Sequence, residues 1–508
     1  MTSLPCADLS SLLGRRPTLE SLTTSVWDAV VIGGGITGAG ILLEAARRGL
    51  RVLLVEQRDF AWGTSSRSSK MVHGGLRYIA QGELQLTHHS LQERERLLSE
   101  LPGLVERMRY VFPVYTGKFP GRWPLTLILT LYDWLAGIRD KRWLSKAELL
   151  ALYPQLEQRR LRGAMSYTDA LTDDCRLVMR VLQEAMCEGG RARTYTEVTH
   201  IETQTTGSRL TLRDSDTGAT ITIQSKQVFN ATGLWADRLS GTAPVVRPQR
   251  GSHLFIAAER LPVQDCLSFM HPDDGRPVFI FPWKGQTCIG TTDIDHGTNI
   301  STEPSCSNEE IDYLLKVTNN ELPQLHLGRA DIISTMAGVR PIIASGKGRD
   351  PSKERRNHLV WQADGVISVS GGKLTTFRQI ALDALHAAGL IDTASYRHAH
   401  HDRTLRCFNH DLPDPQQLSH PRVGMAQGAA LLEQVEWILL HEMVTHLDDM
   451  LLRRLRAGTL LADAGLSLLP QLKPLFQARL GWSEQDWKLE CERYFQMIER
   501  YYRIPKHD

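Results

Sequence analysis

The run Asp28-Ala-Val-Val-Ile-Gly-Gly-Gly-Ile-Thr-Gly-Ala-Gly40 decides the fold. Residues 28–32 read as a buried parallel strand, and Ile41 to Arg48 as the helix that follows. Gly33, Gly35 and Gly38 fill the pattern G-x-G-x-x-G. A second strand, Arg51 to Val55, ends at Glu56, 18 residues after Gly38. Strand, glycine turn, helix, strand and acid in that order form a complete βαβ dinucleotide unit. The first glycine makes the tight turn, and the second lets the backbone approach a pyrophosphate. The third brings the helix close, with its N-terminus facing the phosphates. Glu56 is placed to accept a hydrogen bond from a ribose 2′-hydroxyl, which disfavours a 2′-phosphate there.

Further out, the same kind of signal returns twice. Val228 to Gly233 reads as a strand ending in a turn of Ala231, Thr232 and Gly233. Ile367 to Phe377 reads as a strand, a turn at Gly371 and Gly372, and a helix start at Leu374 and Thr375. Between these returns, "HLFIAA", "PVFIFPW" and "TCIGTTD" alternate apolar and polar residues over 245–295, the signature of an antiparallel sheet covering a site. Nicotinamide dehydrogenases usually keep their nucleotide unit contiguous. A unit interrupted by a second β-rich part is typical of FAD enzymes, with the flavin at the junction. The expected fold is α/β: a Rossmann-like FAD-binding domain interrupted by a β-rich substrate domain, plus a C-terminal helical domain. The boundaries expected are 27–118, 160–244 and 330–385 for the FAD-binding domain. Residues 119–159 and 245–329 form the substrate domain, and 386–508 the helical domain. Residues 1–26 read as a loose extension, and 400–422 as a polar loop.

Composition bounds the rest. The 508 residues are too many for one ordinary domain, and 42% hydrophobic content supports large cores. Lys and Arg number 59 against 57 Asp and Glu, so nothing in the overall charge draws the chain to nucleic acid. The eight cysteines are scattered without C-x-x-C pairs, so neither a disulfide framework nor a metal site is expected. Reduced thiols in a cytosolic setting are the simplest reading. Residues 1–27 lack the apolar core of a secretory signal. The longest apolar stretch, Trp123 to Ile138, contains Asp133 and is too short to span a bilayer.

Several side chains are candidates for chemistry. The loop "GTSSRSSKMVHGGLRY", Gly63 to Tyr78, offers Thr64, Ser65, Ser66 and its amides to a pyrophosphate and a ring system. Arg77 and Tyr78 add a phosphate ligand and a hydroxyl. His253 stands where the apolar alternation restarts. It reads either as a satisfied structural histidine or as the group that takes a hydroxyl proton when an alcohol is oxidised. Arg340, Arg356 and Lys373 read either as solvated charges or as cations for an anionic substrate. "RWPLTLILTLYDWLAGIRDKRWL", Arg122 to Leu144, reads either as a core helix or as an amphipathic segment for a bilayer interface.

Taken together, these motifs resemble the FAD-dependent, respiratory glycerol-3-phosphate dehydrogenases. Matching stretches are "GGGITGAG", "TSSRSSKMVHGGLRY", "YTDALTDDCRL", "NATGLW", "RGSH", "IGTTD", "AGVRP", "RNH" and "SGGKLTTFR", with "HEMVTHLDDMLLRR" in the tail. The resemblance implies non-covalent FAD, oxidation of sn-glycerol 3-phosphate to dihydroxyacetone phosphate, and transfer of the electrons to a membrane quinone. It implies a cytoplasmic protein held peripherally at the inner face of the membrane, with a homodimer allowed. It makes Arg77, Tyr78, His253, Arg340, Arg356 and Lys373 the substrate-site set. Arg356 and Lys373 fall at the phosphate, with Arg77 and Tyr78 nearby. Arg340 and His253 fall near the C2 hydroxyl, His253 as proton acceptor and Arg340 as the group that orients it. The surface-binding reading of 119–144 gains from it as well. Two departures stand out: Leu234 replaces the proline usual after "NATG", and Arg355 adjoins Arg356. Rival readings are an oxidase of the same substrate using oxygen, and a flavin amine or 2-hydroxy acid oxidoreductase. A nucleotide-binding regulator without turnover is the third.

Overall fold

The computed structural model describes residues 14, 16–23, 26–76, 79, 84–240, 246–297, 300, 302–344, 358–399, 402, 405 and 429–506. Arg77, Tyr78, Arg355, Arg356 and the stretch 406–428 lie outside the described residues.

The strand Trp27–Ile32 sits inside the first sheet, parallel to Val52–Val55 on one side and to Thr220–Asn230 on the other. Its apolar run without alternation fits this place, because both faces are covered. On one face, Val31, Leu54 and Phe229 share a core with the helices Ile36–Ala46, Asp174–Cys187 and Phe377–Ala387. On the other, Val30, Leu53 and Val228 pack with Val198, Leu210 and Leu212 from the strands Thr196–Gln204 and Gly207–Asp214. Val366–Gly371 extends the sheet in parallel beyond Thr220–Asn230, and Arg191–Arg193 extends it beyond Val52–Val55. The carboxyl ends Ile32, Val55, Asn230 and Gly371 therefore share one edge, where open parallel sheets bind ligands.

Among the described residues the second sheet holds ten strands. Val246–Ala257 pairs antiparallel with Gln286–Gly290 and with Ile332–Ile343. Pro277–Trp283, Cys266–Met270, Val105–Tyr115 and Leu161–Thr172 continue it. The alternating segments expected over 245–295 all lie here, but the sheet also recruits remote chain. Val105–Tyr115, Leu161–Thr172 and Ile332–Ile343 pair in this sheet. The boundaries 27–118, 160–244 and 330–385 would assign them to the cofactor-binding part. Their hydrogen bonds across to other strands, invisible to local periodicity, decide their membership.

Part of the stretch that reads as loose is packed. Leu19 and Leu22 are buried against Trp27 and Val30, and the Trp27 indole N–H donates to the Leu22 carbonyl at 3.1 Å. Burying each leucine contributes about 1.5–3 kcal/mol, enough to hold so short a segment. The tail forms its own core from the helices Ala429–His441, Leu469–Leu480 and Glu484–Tyr501, joined through a π-helical turn at Asp449–Arg454. Buried ion pairs fasten it to the rest: Arg454 to Asp59, Arg176 to Glu442, and Arg456 to Asp173 and Asp174.

Candidate active site

At the turn after Trp27–Ile32, Gly33 has φ +111°, which a residue with a side chain rarely adopts. A β-carbon on Gly38 would stand 1.9 Å from the Gly33 carbonyl oxygen, so the turn closes only with glycine. The helix Ile36–Ala46 then starts at Gly35 with no side-chain cap. Its first amides face the sheet edge, where Ile36 N–H donates to Ser65 Oγ at 3.0 Å. Glu56 ends the second strand. Its Oε2 accepts from Gly34 N–H at 2.7 Å and its Oε1 from Arg58 N–H at 2.9 Å. Burial raises its carboxyl pKa above the usual range, against the pull of those two amides.

A cavity of about 370 Å³ opens along this edge. Gly33, Gly35, Glu56, Thr64, Ser65, Ala231, Thr232, Gly233, Gly371, Gly372, Lys373 and Leu374 line it, so glycine turns distant in sequence meet in one wall. Three of the expected cofactor residues stand behind that wall. Gly38 sets the turn, and Ser66 is buried, its carbonyl accepting from Lys70 Nζ at 2.6 Å. Thr375 is buried within the 3₁₀ turn Leu374–Thr376. An uncapped helix start, an acid at the second strand end and a glycine-lined trough are the features an extended dinucleotide requires, so these residues fit FAD.

The charged candidates gather beside it. Arg340 lies on Ile332–Ile343 and donates to Asp293 Oδ1 at 3.2 Å and Thr291 Oγ1 at 3.1 Å, and its neighbour Pro341 lines the cavity. Lys373 lines it from the Gly371–Gly372 turn and donates to Ser90 Oγ at 3.2 Å. His253 lies on Val246–Ala257 and does not line the cavity. It is 1% exposed, with Nε2 2.9 Å from Ser69 Oγ. Burial, then the charges of Arg340 and Lys70, push its pKa down to about 3, so the ring is neutral at working pH.

Comparison with known proteins gives the family and the fold. A family model described as FAD dependent oxidoreductase covers residues 28–378, and one described as the C-terminal domain of alpha-glycerophosphate oxidase covers 414–487. The aerobic glycerol-3-phosphate dehydrogenase of Staphylococcus saprophyticus is 35% identical over 384 residues, which is 73% of this chain and 69% of that protein. Its counterpart in Staphylococcus aureus is 36% identical over 386 residues, with the same shares. The chain belongs to the FAD-dependent glycerol-3-phosphate dehydrogenase family. The glycerol-3-phosphate dehydrogenase of Bacillus halodurans, solved complexed with FAD, matches with a TM-score of 0.74 at 25% identity over 98% of both chains. The L-alpha-glycerophosphate oxidase of Mycoplasma pneumoniae shares the fold, with a TM-score of 0.58 at 19% identity over 72% of this chain and 95% of that one.

In this dehydrogenase family member the turn at Leu234 forms without proline. Asn230 bonds the Ala236 carbonyl at 2.9 Å and Ser368 Oγ at 3.1 Å, and Leu234 packs with Ile300 and Val339. Sequence reasoning missed several wall residues: Trp62, Thr196, Val198, Trp235, Arg238 and Pro341. Trp62 adjoins a quoted motif, Trp235 and Pro341 lie inside two others, and all three were within reach. Thr196 and Val198 lie in 194–229, which reads as alternating short strands but carries no site motif. Also unseen was the cluster of Lys70, Asp173, Asp174 and Arg456, whose members lie up to 386 residues apart.

Proposed function

We propose that this chain oxidises sn-glycerol 3-phosphate to dihydroxyacetone phosphate with FAD, and that the electrons go on to a membrane quinone. The observation that carries the reading is the single cavity. It unites the Gly33, Gly233 and Gly371 turns with Lys373, and Arg340 and His253 stand beside it. FAD would be held by the glycine turns, Thr64, Ser65 and Glu56, and when bound it supplies the acceptor for the hydride from C2. Lys373 binds the substrate phosphate as a point charge, with Arg356, Arg77 and Tyr78, by sequence, completing the set. Arg340, held by Asp293 and Thr291, orients the C2 hydroxyl and offsets negative charge developing there. His253, neutral behind the cavity wall, accepts the hydroxyl proton once the anionic substrate has raised its proton affinity.

Access to the lipid phase has its own support. The helix Arg122–Ala136 buries Leu125, Leu129 and Tyr132 but exposes Trp123, Leu127 and Trp134 at 78%, 73% and 75%, with Phe119 just before it at 78%. Positions 123, 127 and 134 fall on one helical stripe, flanked by Lys118, Arg122 and Arg142. Aromatic rings backed by bases suit the headgroup boundary of an anionic bilayer. No helix of the described residues is long and apolar enough to cross a membrane.

The test is anaerobic. Glycerol 3-phosphate should bleach the flavin absorbance of the purified protein, and a short-chain quinone should restore it. No bleaching would end the proposal, and stoichiometric peroxide in air without quinone reduction would replace quinone by oxygen as acceptor. Trp123→Glu/Trp134→Glu should abolish sedimentation with anionic vesicles and leave bleaching intact.

A further inference from the structure

Ser69 occupies an unusual position. It lies between two residues clamped onto one buried carboxylate. The Ser68 N–H and Oγ donate to Asp174 Oδ2 at 2.9 and 2.7 Å. Lys70 Nζ donates to both Asp174 oxygens at 2.8 Å. Arg456, arriving from the C-terminal region, bonds Asp173 Oδ1 at 2.7 Å, Asp174 Oδ1 at 2.5 Å and the Ser66 carbonyl at 3.1 Å. Lys70 itself has φ +60°, a left-handed conformation that costs a residue with a β-carbon about 1–2 kcal/mol. A strained residue persists only where its surroundings over-determine it, and such residues cluster at functional sites. The clamp fixes the backbone on both sides of Ser69 and sets its Oγ 2.9 Å from His253 Nε2.

His253 has no free path to a substrate. Its ring fills the space that a side chain at Gly290 would need, 2.1 Å from Cδ2, and almost none of it is exposed. Ser69 does not itself line the cavity, but it is only half-buried and its neighbour Ser68 does line it. The hydroxyl is therefore the less buried end of a pair whose sealed end is the imidazole. We propose that Ser69 is a catalytic residue, its hydroxyl relaying the proton of the substrate's C2 alcohol to His253. This rests on the alcohol-oxidising reading above. In the step, the substrate O–H bond breaks and its proton joins Ser69 Oγ, while the Ser69 O–H bond breaks and that proton joins Nε2. The electron pair left by the substrate O–H bond forms the C2=O bond, and the C2–H pair would leave as hydride to bound FAD. The charged groups facing His253 are Arg340, from the paired strand Ile332–Ile343, and Lys70, from the loop. Burial first, and then these two charges, keep the ring neutral and ready to accept until an anion enters.

The relay demands an unprotonated Nε2 in the oxidised, substrate-free holoenzyme. Nitrogen-15 NMR of histidine-labelled protein reads this without turnover: Nε2 should carry no proton, and its shift should move in Ser69→Ala. An Nε2–H donating to Ser69 would overturn the proposal. In stopped flow, Ser69→Ala should slow anaerobic flavin reduction at saturating glycerol 3-phosphate about 100-fold, the scale of one lost proton-transfer group. Its substrate dissociation constant should stay within twofold. Ser69→Thr, which keeps the hydroxyl, should recover to within about threefold. Ser69→Ala/His253→Asn should be no slower than the slower single variant, because the two act as one unit. If Ser69→Ala reduces the flavin at the wild-type rate, or if Ser69→Thr fails as badly as Ser69→Ala, the relay is wrong. Failure of the unaltered protein to bleach with glycerol 3-phosphate would instead sink the functional reading.

Discussion

At the edge of the first sheet the cavity is shaped by backbone turns at Gly33, Gly233 and Gly371. The second sheet stands beside it with side chains, Arg340 and His253, set by strand register. The two constructions fail differently. A backbone wall has no slack, because the atoms that would clash are main chain. A side-chain wall is adjustable but depends on buried partners that keep each charge in place, such as Asp293 on Arg340 and Asp174 on Lys70.

The harshest way to break the comparison is Gly38→Val. Even its β-carbon would meet the Gly33 carbonyl oxygen at 1.9 Å, and neither side can move. The purified protein should carry no flavin absorbance. Gly121→Ala is the control: with ordinary φ and nothing within 4 Å, it should retain flavin fully. Next in size is the tail's attachment. Arg454 donates to both oxygens of Asp59 at 2.7 Å, and both residues are buried. Arg454→Met leaves the buried carboxylate under-partnered and should lower stability by about 3–5 kcal/mol, read by urea unfolding. A loss under about 1 kcal/mol would mean that Arg453, which also reaches Asp59, carries the attachment.

A smaller effect separates binding from holding. If Lys373 binds the substrate phosphate as proposed, Lys373→Ala removes one charged contact worth about 1.5–3 kcal/mol, so KM should rise about 10–100-fold. Flavin content should not change, because the Gly371–Gly372 turn remains. Loss of flavin along with KM would mean that Lys373 belongs to the backbone-type wall.

The same contrast explains what was legible in the amino-acid order. The first sheet's site is written in short contiguous runs, since a glycine turn and its flanking strand sit side by side in the chain. "GGGITGAG", "NATG" and "SGGKLTT" therefore identified wall residues directly. The antiparallel alternation over 245–295 was equally plain. The sealing of His253 behind Ser69 was not, because it follows from the pairing of residue 253 with Gly290 and Met336 and from a loop 184 residues earlier. Nor was the clamp of Asp173, Asp174, Lys70 and Arg456, whose charges look solvated when each is read alone. The packing of Leu19 and Leu22 escaped for the same reason: two leucines in a polar stretch carry no period.

The mildest test sets a histidine of the second sheet against one in the tail. His253 is depressed to about 3, chiefly by burial. Between pH 3 and 6.5 the unfolded chain holds a proton there that the folded one does not, so this residue makes stability fall as pH drops through that window. His446, in the tail, runs the opposite way. Burial works against its charge, but hydrogen bonds with Asp216 and with Glu490, at 3.4 and 2.8 Å, outweigh it and raise the pKa to about 10. Its contribution is whole below about pH 6.5 and fades as pH climbs toward 10. His446→Gln should therefore flatten the alkaline limb of the stability profile and leave the acid limb as it was. If the acid limb flattened instead, the charge-paired histidine would lie in the second sheet and the neutral one in the tail. That would invert the distinction between a site kept dry for proton transfer and a joint held by charge.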